Sequence, residues 1–215
     1  MNYLELVNEV LVRLRENEVT AVSDNKYSKL IGKFINDTKR QVEDAYNWDV
    51  LVDTITARTS PAVFSYALTG TGTRFKVMDV LNDTNNNEVK YIDSKTLNQW
   101  MLLGADSSGI PSYYNFNGVD SNGDTMVDVY PKPNGVYDIR FNLFIPQPAL
   151  TSNADKLMVP SEPVVLGAYA RALAERGEDG GMASSEAYQL FKSSLADHIA
   201  IEAGRYPEEF VWSSE

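Results

Sequence analysis

Four oxygen-bearing side chains alternate along the segment DSNGDTMVD at residues 120–128, much as the ligands of a calcium-binding loop do. They are Asp120, Asn122, Asp124 and Asp128. A calcium loop between two helices needs glycine at its sixth position and a bidentate glutamate at its twelfth. Counted from Asp120, the glycine is at position four and Pro131 occupies position twelve. We therefore predict a solvated turn in this segment and no metal site.

The remaining candidates for catalysis or cofactor binding are few. His198 is the only histidine, which excludes triads, dyads and metal clusters that need two histidines. We predict a structural role for it on the apolar side of a helix. No cysteine is present, which excludes disulfides and thiolate chemistry. The segment LTGTGTRF at residues 68–75 lacks the lysine of a phosphate loop, so we predict a turn there, no bound cofactor and no catalytic residue.

An aromatic segment supports an alternative function. PSYYNFNG at residues 111–118, with Trp100 upstream, suits either a stacking platform for sugars or a buried strand. Paired carboxylates for glycoside cleavage also stay open, because their separation in space decides that chemistry. The alternative is thus a glycan-binding or glycan-cleaving module, which would require Trp100 or Tyr113 for binding.

Composition and charge narrow the classes of protein. The chain has 215 residues, of which 43% are hydrophobic and 23% charged, as expected of a globular protein. The formal net charge of −11 argues against grasping DNA, although an acidic passage would let DNA slide without sticking. An ordinary acidic surface gives the same charge. Polar residues interrupt the apolar positions of the first segment, so we expect no signal peptide, no membrane span and a soluble protein.

Apolar residues recur at helical spacing in four segments. The first runs from residue 2 to about 16, and the second runs from a cap at Ser23 or Asp24 to about Trp48. We expect Ser161 to cap a third helix that ends at Gly177. A fourth helix follows, and its predicted apolar face consists of Ala187, Leu190, Phe191, Leu195, His198 and Ile199.

β-Branched and aromatic residues, separated by Gly, Pro and Asn clusters, predict strands between the second and third helices. The five predicted strands are VFSYAL, RFKVMDVL, EVKYID, MVDVY and VYDIRFNLFI, and SKTLNQWML is predicted to form a short helix among them.

These elements predict an α+β fold. Each helix has one apolar face that is too narrow to be stable alone, so we expect the N- and C-terminal helices to form one antiparallel helical bundle. An antiparallel β domain is then inserted into it. The predicted domains are residues 1–50 with 157–205, residues 51–156, and a C-terminal tail at residues 206–215.

Three parts of the sequence resemble the adaptor proteins of tailed bacteriophages, including tail tubular protein A of short-tailed phages. They are LELVNEVLVRLRE at residues 4–16, VDVYPKPNG at residues 127–135, and VLGAYARALAERGEDGG with the following AYQLFKSSLADHI. The resemblance covers both helical ends and the later strand hairpin.

The resemblance implies a structural, non-enzymatic protein of the virion, assembled in the host cytoplasm. Such adaptors form rings, usually of twelve copies, that join the portal protein to the tail tube or nozzle protein. Genomic DNA passes through the lumen of the ring without specific binding. We expect the isolated protein to be monomeric or weakly associated, with the portal as template for assembly.

Two groups of residues are candidates for contacts in such a ring. Charged residues around the end of the third helix could pair between neighbouring copies; they are Arg171, Glu175, Arg176, Glu178 and Asp179. Exposed pairs contribute only about 0–1 kcal/mol each, so apolar contacts must supply most of the affinity. In the tail, Tyr206, Phe210, Val211 and Trp212 are candidate anchors on the portal, and folding back onto the same chain is the alternative.

Overall fold

The computed structural model describes residues 1–103, 107–177 and 181–205. The chain divides into two compact units: a helical unit, formed by Met1–Val50 with the chain from Gln147 onward, and a β unit at Leu51–Pro146. The described residues contain both α-helices and largely antiparallel sheets, which confirms the predicted α+β class.

The described residues form five α-helices and ten strands. The helices are α1 (Tyr3–Arg13), α2 (Lys26–Ala45), α3 (Ser94–Leu102), α4 (Ser161–Arg176) and α5 (Met182–Ala203), with a 3-10 turn at Asp49–Leu51. The strands are β1 (Val52–Arg58), β2 (Ser65–Ala67), β3 (Lys76–Asn82), β4 (Asn87–Glu88), β5 (Lys90–Tyr91), β6 (Ser108–Gly109), β7 (Tyr113–Val119), β8 (Thr125–Tyr130), β9 (Lys132–Pro133) and β10 (Asp138–Phe144).

Asparagine residues cap the first two helices. Asn25 Oδ1 accepts a hydrogen bond from Ser28 N at 2.7 Å, and Ser28 Oγ accepts one from Asn25 N at 3.2 Å. Such a cap stabilises a helix by about 1 kcal/mol. The predicted caps of α2, Ser23 and Asp24, were therefore wrong. The Asp24 carboxylate instead accepts hydrogen bonds from the backbone N–H groups of Thr20 and Ala21, both at 2.8 Å.

The boundaries of α4 follow from its terminal residues. Gly177 ends the helix in the left-handed conformation, with φ of 64°, as predicted. Ser161 is the first helical residue rather than the cap, and the cap position is occupied by Pro160, which makes no side-chain capping hydrogen bond.

Helix α4 contacts α1, α2 and α5 within the helical unit. The buried residues of α4 include Val164, Val165, Ala168 and Ala172. Helices α1 and α2 also contribute fully buried apolar residues to this unit. At Gly167 the neighbouring helices lie close to α4. A Cβ atom at this position would overlap the Thr38 side chain on α2 and would lie 3.0 Å from the Phe191 ring on α5.

The chain returns from the β unit along a segment that is hydrogen-bonded to α1 and α2. Asn36 on α2 accepts from Leu150 N at 2.8 Å and donates to Leu150 O at 3.0 Å. Tyr3 N and Leu4 N donate to the carbonyl groups of Asp155 and Asn153, at 2.8 and 3.2 Å. Residues 147–156 therefore lie in the helical unit, whereas the predicted boundary assigned them to the β domain.

A buried ion pair holds the start of this return segment. Lys39 Nζ lies 2.9 Å from Glu43 Oε1, and their side chains are 3% and 1% exposed. Lys39 Nζ also donates to Gln147 O at 2.5 Å, while Gln147 N donates to Glu43 Oε1 at 3.1 Å. The two charges thus pair with each other and bind the backbone N–H and C=O groups of Gln147.

The β unit contains two four-stranded sheets that share one core. Their strand orders are β1-β10-β3-β4 and β2-β8-β7-β5. The first sheet is antiparallel throughout, whereas β5 pairs parallel to β7, and β6 pairs parallel to β9 in a separate two-stranded sheet. Alternate residues of β10 point into the core, namely Ile139, Phe141 and Leu143, where they meet Val127 and Val129 of β8.

The structure corrects the strand assignments in two ways. Strands β1, β6, β7 and β9 were not among the five predicted strands. Strand β1 is mostly exposed, and the segment of β7 was left open between a buried strand and an aromatic platform. The segment EVKYID was predicted as one strand. Instead, the chain passes at the buried Val89 from the first sheet, where β4 pairs with β3, to the second, where β5 pairs with β7.

We expect Gly167→Ala to destabilise the protein, because the added methyl group must fit against Thr38 and Phe191. Overpacking costs about 1–3 kcal/mol, of which the helix propensity of alanine offsets about 1. Urea unfolding measures the stability of Gly167→Ala and of two further variants. In Gly167→Ala/Thr38→Ser the methyl group that would clash is removed, and Gly135→Ala is a control because its nearest side-chain atom is 3.6 Å away. Equal stability of Gly167→Ala and the double variant would contradict the predicted clash.

We expect Lys39→Met to lower the free energy of unfolding by about 3–5 kcal/mol, because it leaves the Glu43 carboxylate buried without a cation. The double variant Lys39→Met/Glu43→Gln removes both charges and keeps an acceptor for Gln147 N, so it should lose less. Chemical denaturation of both variants measures the difference. A double variant as unstable as the single one would show that the charge pair is not the cause.

Candidate functional site

A groove runs between α2, α4 and α5 on the helical unit and has a volume of about 930 Å³. Small residues of α4 form its floor, namely Gly167, Ala170 and Ala174. Tyr188, Phe191 and Leu195 of α5 line one side, so the interior of the groove is largely apolar. This α2–α4–α5 groove results from the close approach of α4 to its neighbours at Gly167.

The rim of the groove carries charges of both signs. Asp37, Arg40 and Asp44 stand on α2, and Arg171 stands on α4. Arg171 is exposed, and its Nη2 atom donates to Gln41 Oε1 at 3.1 Å. An apolar floor with a charged rim suits a protein surface more than a small polar metabolite.

The residues predicted to pair between copies differ in their exposure to solvent. Arg171 and Glu175 are exposed on α4, whereas Arg176 is partly buried. Glu178 and Asp179 lie outside the described residues, as do Tyr206, Phe210, Val211 and Trp212 of the predicted tail anchor.

Arg176 joins the end of α4 to α1 and α2 within one chain. Its Nε donates to the Tyr27 hydroxyl at 2.9 Å, its Nη2 lies 2.5 Å from Glu16 Oε1, and its Nη1 donates to Leu14 O at 3.4 Å. The hydrogen bond to Tyr27 and the pairing with Glu16 raise the pKa of Arg176 above its ordinary value. These contacts indicate a structural role for this side chain.

His198 lies on a second face of the helical unit, formed by α4 and α5. Its Nδ1 is 2.7 Å from Ser194 O, its Nε2 is 3.9 Å from Glu162 Oε2, and its side chain is 25% exposed. Leu190 was predicted to share one apolar face with Phe191 and His198. It lines the same depression as His198 but is 55% exposed, whereas Phe191 is buried, so the single predicted face was wrong. Burial on α5 follows Ala187, Phe191, Ser194 and Glu202 instead.

The acidic loop at residues 120–128 uses its carboxylates to hold turns. Asp120 Oδ1 accepts from Asn122 N and Asp124 N at 2.8 and 2.9 Å, and the backbone hydrogen bond from Asp124 lowers the pKa of Asp120. Asp124 Oδ1 accepts from Gly70 N and Gly72 N at 2.9 and 3.2 Å. Within residues 1–103, 107–177 and 181–205, no group of three His, Cys, Asp or Glu side chains is placed to hold a metal ion.

The aromatic residues considered for glycan binding are divided between two faces of β7. Tyr114 is buried in the core of the β unit, edge-on to Phe141 at 5.7 Å. Tyr113 packs edge-on against Trp100 at 5.4 Å, and Tyr130 lies 5.3 Å from the same indole ring. Trp100 is 36% exposed, so its rings are partly used in internal packing.

The groove was not predicted from the sequence. The spacing of Gly167, Ala170 and Ala174 was a usable signal, because residues three and four positions apart share one face of a helix. What they face depends on how the helices pack.

In the described part of the chain, none of the helices is sufficiently long and apolar to traverse a lipid bilayer.

The sequence profile of the SU10 adaptor protein family matches residues 1–208, which include both units. No curated protein sequence matches the chain significantly. The resemblance to tail tubular protein A stays a prediction.

We expect Arg176→Ala to lower the free energy of unfolding by about 1–3 kcal/mol, because it removes charge-assisted hydrogen bonds to α1 and α2. Arg171→Ala, on the same helix but exposed, is the matched control and should change stability by less than about 0.5 kcal/mol. Thermal and urea unfolding of both variants measure these values. Equal losses in the two variants would contradict the assignment of Arg176 as the structural arginine.

Proposed function

The chain belongs to the SU10 adaptor protein family, and from this membership we propose that it is a structural adaptor of a phage virion that forms a ring between the portal protein and the tail tube or nozzle. The family match over residues 1–208 is the observation that carries the proposal. The ring would be a dodecamer, assembled in the host cytoplasm on the portal as template.

The role is structural rather than catalytic. Charged side chains within the helical unit support this, since their contacts hold the fold: Lys39 with Glu43 holds the return segment, and Arg176 holds the end of α4. The carboxylates of Asp120 and Asp124 hold turns in the β unit in the same way.

Contacts between neighbouring copies would involve the helical unit, whose helices would form an antiparallel bundle. Arg171 and Glu175 are exposed on α4 and are available for such contacts, and the proposed set also includes Glu178 and Asp179. Arg176 no longer belongs to the set, because its guanidinium is bound within the chain. The apolar floor of the α2–α4–α5 groove supports this location, because exposed ion pairs alone contribute only about 0–1 kcal/mol each.

Genomic DNA would pass through the lumen of the ring without specific binding. The net charge of −11 supports this, since an acidic wall repels the phosphate backbone. Condensation of DNA onto the wall during packaging and ejection would thereby be avoided.

The C-terminal tail would dock on the portal through Tyr206, Phe210, Val211 and Trp212. Large aromatic side chains are frequent anchors at protein interfaces. Acidic residues Glu208 and Glu209 stand between these anchors and would favour a basic rim on the portal pocket.

The adaptor role is tested by mixing the purified protein with the portal of the same phage and imaging the mixture by electron microscopy. We expect rings stacked on portals, and a monomer or weak oligomer without the portal in sedimentation velocity. Portals that stay bare at micromolar protein would contradict the proposed function.

We expect the double variant Phe210→Ser/Trp212→Ser to bind the portal at least about tenfold more weakly, because loss of a buried aromatic anchor costs more than about 1.4 kcal/mol. Ser213→Ala/Ser214→Ala, in the same tail, is the matched control and should bind as the wild type does. Affinity is measured by surface plasmon resonance on immobilised portal. Unchanged binding by the aromatic double variant would reject the docking of the tail.

A further inference from the structure

Helix α5 presents two different faces to its surroundings. Tyr188, Phe191 and Leu195 line the α2–α4–α5 groove. A second row, with Leu190, Asp197 and Ile201 at positions i, i+7 and i+11, faces away from that groove and lines a shallow depression of about 520 Å³ with α4. We name this surface the outer face of α5.

Two large apolar side chains project from the outer face. Leu190 is 55% exposed and Ile201 is 63% exposed, and they stand about three helical turns apart. Leu166 of α4 lies beside them and is partly buried. Polar side chains, among them Ser193 and Ser194, separate Leu190 from Ile201, so the face offers two apolar anchors rather than a continuous apolar row.

The acidic charge of the outer face complements the α4 side of the groove, whereas the groove as a whole carries two acids and two bases. The described residues that line the outer face include Glu162 and Asp197, and they include no lysine or arginine. The groove carries Arg40 and Arg171, together with Asp37 and Asp44 on the α2 side. Two outer faces brought together would repel each other, whereas an outer face and the Arg171 side of the groove would attract.

A contact between two unlike patches is the kind that generates a ring. If one surface of each copy contacts a different surface of the next copy, the contact is heterologous. Repeating it closes a ring when the rotation between copies allows. Both surfaces lie within the helical unit, and both include residues of α5, so every copy carries both halves of the contact.

We propose that the outer face of α5 in one copy enters the α2–α4–α5 groove of the next copy, with Leu190 and Ile201 against the groove floor and Asp197 opposite Arg171. This inference rests on the proposed function, because it specifies the contact by which the ring is built. The occupant of the groove is thus a second copy of this chain.

Charge exchange tests the pairing. Arg171→Glu places two acids opposite each other at every contact, and Asp197→Arg places two bases there, so each single variant should form at least tenfold fewer portal-associated rings. The double variant Arg171→Glu/Asp197→Arg restores opposite charges at every contact and should return to within about threefold of the wild-type yield.

Mixing the two single variants provides the sharper result. In a ring that alternates them, Asp197 of one variant meets the native Arg171 of the other, and the introduced Arg at position 197 meets the introduced Glu at position 171. An equimolar mixture should therefore form rings that neither variant forms alone. Single variants with wild-type ring yield, or a mixture no better than its components, would overturn the inference.

Leu190→Asp extends the test to the apolar part of the contact and should reduce ring yield at least tenfold. Val12→Asp is the matched control, because Val12 is 52% exposed on α1 and lies on neither surface. Circular dichroism verifies that each variant is folded. If the wild-type protein itself forms no rings on the portal, the proposed function fails; if wild-type rings form and Leu190→Asp rings equal them, only this inference fails.

Discussion

The architecture of the helical unit depends on fixing the segment that returns from the β unit. The chain leaves after α2 and comes back at Gln147, so a stretch without regular structure must lie against α1 and α2. Backbone groups that are partly buried there would be costly if they were left without hydrogen bonds. Lys39, Glu43 and Asn36 satisfy them with short hydrogen bonds, and α4 begins shortly afterwards in a defined position.

The position of α4 in turn determines the surfaces available for assembly. Because Gly167 has no side chain, α4 can lie close to both α2 and α5. The small residues that follow it leave a groove rather than a filled surface, and the charged residues remain at its rim. The packing of α4 at Gly167 therefore bears both on the stability of the unit and on the groove beside it. An adaptor needs such shaped surfaces rather than reactive groups, which agrees with the family to which the chain belongs.

The sequence predicted the structure correctly where contacts between neighbouring residues decide it. The helical periodicity placed four helices, and the αL requirement after α4 placed Gly177. It was less successful where several residues compete for one role. Ser23, Asp24 and Asn25 are all residue types that favour the N-cap position. The Asp24 carboxylate already accepts hydrogen bonds in the preceding turn, and Asn25 caps the helix. Strand β1 was missed because most of its side chains are exposed and only Ile55 and Ala57 pack on the core.

By itself, the sequence determined the α+β class, the absence of cysteine chemistry, the single histidine and the acidic net charge, since these follow from composition and from contacts within a few residues. The tertiary structure decided which side chains meet across more than a hundred residues. Arg176 binds Tyr27 and Glu16, and Gln147 binds Lys39 and Glu43. One side of α5 lines the groove and the opposite side forms the outer face. Such contacts depend on how helices pack, and helical spacing alone does not specify the partner that a given face will meet.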